Sequence, residues 1–196
     1  MRFKIFAPVL LTFAFFAIAL PVFPQVAPSY QPTVLAWTLG IGPSSYDVDW
    51  GQGRMYGGTI WLDMYPASMS AHLPGLGLEA EARDISLHRN GAPQINQRQD
   101  TAGGGLFYSI SRFHYFRPFG KFLVEDGSVD YYPSPPQSHD TRIVLAPGLG
   151  FEARLYKPLW ARVDYEYQAW KGPLLGTTLN PQGFTIGFAY DLSRYR

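Results

Sequence analysis

Residues able to do chemistry are sparse in this sequence. It has four histidines, His72, His88, His114 and His139, and no cysteine. No histidine stands two residues before a serine, and no HExxH, GxSxG, P-loop or nucleotide-binding glycine fingerprint occurs. His114 sits in the aromatic run Phe113-His114-Tyr115-Phe116 beside an expected turn. A general base needs positioned partners, and none is identifiable there, so His114 reads as an interfacial or turn residue. His139-Asp140 follows the Pro-rich stretch YYPSPPQ. A loop metal site would need further ligands that this neighbourhood does not supply, so the pair reads as solvated. Glu79 and Glu81 are two apart and would share a face of a strand. Paired carboxylates can do acid/base work, but Arg83 and the neighbouring strands offer partners, which favours a structural ion network. The expectation is therefore no catalytic residue, no metal ligand and no cofactor.

The frame around these residues is one domain. The chain has 196 residues and a net charge of +1, which leaves no electrostatic footprint for nucleic acid. Charged residues make up only 16% and aromatics another 16%, with 20 Gly and 17 Pro, a mixture suited to short strands and turns. Without cysteine there is no disulfide, no thiol metal site and no Cys-anchored lipid. Residues 1–25 read as a secretory signal peptide: Arg2 and Lys4, then an uncharged apolar stretch from Ile5 to Leu20, with Ala17-Ile18-Ala19 as a usable cleavage site. That stretch is short of the roughly 20 residues a membrane helix needs. Residues 26–33 form a Pro-bearing linker, and residues 34–196 form the domain proper.

From there the dominant period is two, the period of strands. In GFTIGFAYDL, Phe184, Ile186, Phe188, Tyr190 and Leu192 share one face, with Thr185, Gly187, Ala189 and Asp191 on the other. LWARVDYEYQAW does the same, with Arg162, Asp164, Glu166 and Gln168 opposite Val163, Tyr165, Tyr167 and Ala169. Six further segments follow suit, near residues 34–42, 54–64, 75–83, 103–113, 119–126 and 141–156, with Trp61 and Phe107 out of step. Eight strands result. Long polar connections are expected after the first, third, fifth and seventh, and shorter ones after the second, fourth and sixth, the last two near Arg117-Pro118 and Lys157-Pro158. Long outer loops and short periplasmic turns are the asymmetry of outer-membrane barrels. Trp61, Tyr65, Tyr115, Phe116, Tyr156, Trp160 and Trp170 fall near expected strand ends and suit interfacial girdles.

Alternation alone fits a soluble lipocalin-like barrel, apolar inside, as well as a membrane barrel, apolar outside. Two features favour the second. The apolar set is too large and aromatic for the narrow interior of eight strands. The polar set carries both signs: Glu79, Glu81, Arg83, Lys121, Glu125, Glu152, Arg154, Arg162, Asp164 and Glu166. Opposite charges on neighbouring strands can satisfy one another inside a barrel.

The stretches PGLGFEARLYKPLWARVDYEYQAW and PQGFTIGFAYDL resemble the C-terminal strands of the OmpA-like outer-membrane β-barrel family, and GGGLFYSISRFHYFRPFGKFLVEDG resembles its middle hairpin. The resemblance covers most of residues 34–192. It implies an all-β fold, an eight-stranded antiparallel up-and-down transmembrane β-barrel inserted from the periplasm after signal cleavage. It also implies the bacterial outer membrane as location. Its members often end on an aromatic residue, whereas this chain runs on past Tyr190 to Asp191-Leu192-Ser193-Arg194-Tyr195-Arg196. No peptidoglycan-binding domain is expected to follow.

The function expected is a non-catalytic envelope protein that supports membrane integrity or displays loops for adhesion, with DVDWGQG and DYYPSPPQSHD as contact surfaces. Its partners would be outer-membrane lipid, periplasmic chaperones and the barrel-insertion machinery during biogenesis, and an extracellular loop partner of unspecified kind. Nucleic acid is not among them. The alternatives are a lipid-modifying outer-membrane enzyme, which needs a polar constellation on the outward face, and a soluble barrel binding a small apolar ligand.

Overall fold

The computed structural model describes residues 36–47, 53–89, 95–110, 115–132, 138–170 and 179–193. The expected signal peptide, the linker and His114 lie outside the described residues. The strands are β1 (Ala36–Asp47), β2 (Arg54–Tyr65), β3 (Leu76–Arg89), β4 (Ile95–Ser109), β5 (Phe116–Tyr132) and β6 (Ser138–Tyr156). They are followed by β7 (Leu159–Tyr167), which resumes after Gln168 as Ala169–Trp170, and by β8 (Gln182–Asp191). Gly148 faces Glu166 and Leu145 faces Ala169, one unbroken register across Gln168, so β7 and its continuation are a single stave. A six-residue helix, α1 (Ala67–His72), sits between β2 and β3.

Each stave pairs antiparallel with the next, and β1 pairs with β8, from Thr38 opposite Asp191 to Asp47 opposite Gln182. The sheet is therefore closed and has no free edge, which is what a backbone in hydrocarbon requires. Stepping from Trp37 through successive facing residues returns to β1 at Asp47, ten residues further on. A stagger of ten over eight strands tilts them by about 40° and leaves a lumen just wide enough for side chains.

The apolar face points outward. Leu39, Ile41, Ile143, Leu149, Ile186 and Phe188 are 50–64% exposed, while their neighbours Thr38, Val144, Thr185 and Ala189 are buried. A surface this apolar is untenable in water and is the lipid-facing band of a membrane barrel. The lumen-facing positions hold the charges.

Three expectations need correction. The connections after the third and fifth staves are much shorter than expected, because β4 begins at Ile95, β5 runs to Tyr132 and β6 begins at Ser138. Beyond the bilayer the outward face meets water, and in β4 the buried inward positions Gln97 and Gln99 are polar too, so the ladder continues there without an apolar alternation to announce it. At the other end, β4 stops at Ser109 and Arg117-Pro118 lies inside β5, so the turn falls earlier than expected. Finally, Trp61, Trp160 and Trp170 are not girdle residues. They share lumen-facing parity with Asp63, Arg162 and Gln168, and all three are buried. Tyr115, Phe116 and Tyr156 are exposed at the periplasmic end, together with Tyr190.

Room for the Trp61 indole comes from glycine. A β-carbon on Gly40 would fall 2.1 Å from the indole, and one on Gly187 would fall 2.7 Å from it. Gly75 has a different duty. It takes φ +92° entering β3, and a β-carbon there would lie 2.0 Å from the Ser109 carbonyl oxygen.

Candidate functional site: the charged lumen

The site is built by parity. Every second residue of the tilted staves projects into the lumen, so charges distant in sequence meet across it. Arg162 on β7 is the lower hub. Its Nε donates to Asp164 Oδ2 at 2.9 Å, and its Nη2 donates to both Glu79 carboxylate oxygens at 3.0 and 2.9 Å. Its Nη1 reaches Asp63 on β2 at 3.4 Å. The guanidinium lies 4.4 Å from the Phe119 ring centroid and 4.7 Å from that of Trp61. The cation is thus held by carboxylates at its edge and aromatic faces beside its plane.

Lys121 on β5 is the upper hub. Its Nζ lies 2.5 Å from Glu81, 2.9 Å from Glu166 and 3.3 Å from Glu79. Arg83 on β3 bridges the same two carboxylates, donating to Glu81 and, at 2.6 Å, to Glu166. It also donates to the Thr59 hydroxyl at 3.0 Å and lies 4.2 Å from the Tyr46 ring centroid. Ser44 joins Thr59 to Thr185 at 2.5 and 2.9 Å, which brings in β1 and β8. Gln168 donates to Glu166 at 3.1 Å and accepts from Gln99 on β4 at 2.8 Å. Near the periplasmic end Arg117 pairs with Glu152 at 2.8 Å and covers the Trp160 ring.

Of the ten charged residues singled out from the sequence, the structure places Glu79, Glu81, Arg83, Lys121, Arg162, Asp164 and Glu166 in one contiguous network. Glu152 stands apart with Arg117. Arg154 is half-buried and contacts no carboxylate among the described residues; it lies 4.9 Å from the Tyr115 ring centroid and 5.6 Å from that of Trp160. Glu125 is buried with neither carboxylate oxygen bonded. Sequence reasoning missed Asp63, Tyr46, Thr59 and Gln99 as members. Asp63 and Thr59 carry a signal, their shared parity with Trp61 on one strand, whereas Tyr46 and Gln99 are joined to the network by contacts across the lumen.

Apolar clusters lie further toward the extracellular end: Val129, Val144, Trp170 and Leu179, and Tyr46, Met55 and Ile85. Buried aromatics, Trp61, Trp160, Phe107 and Phe119, pack below. The lumen is filled rather than open.

The described outward face carries a polar region. A groove of about 810 Å3 crosses β2 to β6 above the apolar band, floored by small residues such as Ala82 and Ala102 and edged by Asp84, Asp100, Ser128 and Thr141. Arg98 lies 2.9 Å from Asp84 and 3.2 Å from Asp100. Beside the groove, His139 Nδ1 donates to Asp130 Oδ1 at 2.7 Å, since a carboxylate only accepts. That leaves Nε2 to accept from the Thr141 hydroxyl at 3.4 Å. His139 is thus partnered, by Asp130 and Thr141 across the β5–β6 hairpin, and is not a solvated pair with Asp140. The outward face is also more polar than the shorter expected strands implied. Asp140 itself pairs with Arg142 at 2.9 Å.

Comparison with known proteins places this architecture. No curated protein is recognisably similar in sequence. Among solved structures, the barrel is similar to Neisserial surface protein A, at 9% identity, TM-score 0.59, covering 80% of this chain and 96% of that one. It is similar to Ail, the attachment invasion locus protein of Yersinia pestis, at 13% identity, TM-score 0.54, covering 81% and 97%. It is also similar to the outer membrane protein OprG of Pseudomonas aeruginosa, at 12% identity, TM-score 0.51, covering 82% and 97%. At these identities the likeness is one of fold. The outer membrane protein beta-barrel domain matches residues 11–191, nearly the whole chain, so the protein belongs to that family and is an eight-stranded β-barrel of the bacterial outer membrane.

Proposed function

We propose that the protein is a non-catalytic outer-membrane barrel that supports envelope integrity and presents its extracellular hairpins for adhesion or interaction. The observation that carries this is the filled lumen: the network ties opposite walls through Arg83, Lys121 and Arg162, and aromatic and apolar layers pack on either side. Such a barrel is a rigid anchor, and its specificity resides in what extends beyond the membrane. The β5–β6 hairpin is the longest candidate surface. Ail is an attachment protein by name, which makes adhesion a natural first assay for a chain of the same fold. The test compares cells lacking the protein, cells expressing it, and cells in which residues 133–137 are replaced by a Gly-Ser linker. Loss of adherence in the linker variant, with the barrel still inserted, supports display. Equal adherence and equal detergent sensitivity in all three overturn the reading.

A second reading rests on the Asp130–His139–Thr141 relay beside the outward groove. A carboxylate that orients a histidine, which in turn faces a hydroxyl, is the arrangement of an activated nucleophile, and an outward groove at headgroup height could receive a lipid ester. The Thr141 hydroxyl would attack the ester carbonyl while His139 takes its proton and passes it to the departing lipid alcohol, and water would then hydrolyse the acyl-Thr141 ester to free fatty acid. Purified, refolded protein incubated with lipid esters separates the readings. Release of fatty acid that disappears in Thr141→Val would favour the enzyme, and no release would leave the relay as surface structure.

A further inference from the structure

Glu125 projects from β5 into the lumen and is 2% exposed, yet among the described residues neither of its carboxylate oxygens has a hydrogen-bond partner. What it meets is more carboxylate. Oxygens of Glu81, Glu125 and Glu166 lie within 4.8 Å of one another, and all three residues are buried. Glu81 and Glu166 share Lys121 and Arg83, so the trio and its two cations retain one negative charge. The wider lumen is more acidic still. With Glu152 paired to Arg117, six buried carboxylates among the described residues (Asp63, Glu79, Glu81, Glu125, Asp164 and Glu166) face three buried cations (Arg83, Lys121 and Arg162). On the adjoining stave Thr101, whose register partners are Arg83 and Gly127, also leaves a buried hydroxyl unbonded. Uncompensated charge in a dry interior is costly enough that something positive must be taken up with it.

We propose that Glu81, Glu125 and Glu166 form a binding site for one hard cation of the size of Ca2+ or Na+ inside the barrel. The donors are all oxygen, the preference of hard cations rather than of zinc or copper. Three oxygens no more than 4.8 Å apart can share a centre about 2.8 Å or less from each, so a small inward shift of the carboxylates brings them into the Ca2+–oxygen range. The bound ion would neutralise Glu125 and join β3, β5 and β7 at the point where the Lys121 and Arg83 bridges already converge. The apolar clusters toward the extracellular end would slow its exchange, so the ion would enter as the barrel closes.

The test uses the mature chain refolded in detergent, either with Ca2+ or with a chelator, at one ionic strength and with N-methylglucamine as the other cation. A third sample contains Na+ and chelator. The readout is the temperature at which the compact gel band converts to the unfolded one. An increase of roughly 5 °C with Ca2+ or with Na+, lost in Glu125→Gln, is expected for a site occupied well above its Kd. Equilibrium dialysis of the unmodified protein should retain one ion per chain, which keeps the proposal testable should the variant fail to fold. No dependence on either ion, with stability following pH alone, would overturn it and assign a proton to Glu125. An equal increase in Glu125→Gln would also overturn it, by placing the ion elsewhere.

Discussion

Arg162 shows most directly what a single side chain does here. It is fully buried, touches Asp63, Glu79 and Asp164, and lies against Trp61 and Phe119. Arg162→Met keeps much of the volume but takes the cation from three carboxylates, leaving Glu79 and Asp164 only Lys121, at 3.3 and 3.8 Å, so it is expected to destabilise the barrel by about 3–5 kcal/mol. Urea unfolding in detergent would measure this, and adding Glu79→Gln should recover part of the loss, as contacting residues are not additive. Gly40 gives a steric counterpart. Gly40→Val would drive a side chain into the Trp61 indole, and the compact gel band should be lost or form slowly. Trp61→Ala in the same chain should restore it. If it does not, the glycine serves the β1–β8 backbone approach instead. The inward parity of Arg162 is plain in its own strand's alternation. Its partnership with Asp63, 99 residues earlier, is not, because that depends on the stagger of the whole barrel.

At the level of the stave, β8 was the clearest strand in the sequence and β4 the least. Apolar and small residues alternate through Phe184–Ala189 because one face meets lipid and the other the packed lumen. The start of β4 reads Ile95-Asn96-Gln97-Arg98-Gln99-Asp100, polar on both faces, so hydropathy carries no period there. Its strand character comes from pairing with β3 and β5, which no local pattern records. The two regimes predict different tolerances. Ile186→Arg, outward in the middle of β8, should cost about 2–4 kcal/mol in a bilayer, whereas Thr141→Arg, above the apolar band, should cost about 0–1 kcal/mol. Refolding yield into lipid vesicles against urea would rank them, and equal costs would mean that the band is misplaced.

For the molecule as a whole, orientation follows from the tight Lys157-Pro158 turn and the exposed Tyr115 and Tyr156 at one mouth, with the longer hairpins at the other. The chain contains no cysteine, so single introduced thiols report position cleanly. Asp130→Cys should react with an impermeant maleimide in intact cells, and Tyr115→Cys only after the outer membrane is breached. The reverse result would invert the barrel. Closure also brings the two ends of the barrel segment together. Thr38 faces Asp191, and the Leu192 amide donates to the Trp37 carbonyl at 2.8 Å. The staves therefore form a ring in which first and last are neighbours like any others. A short linker joining Leu192 to Ala36, with new ends opened at an extracellular hairpin, would leave every ladder and every lumen contact in place. The order in which the staves are spelled out along the chain is thus separable from the barrel they build.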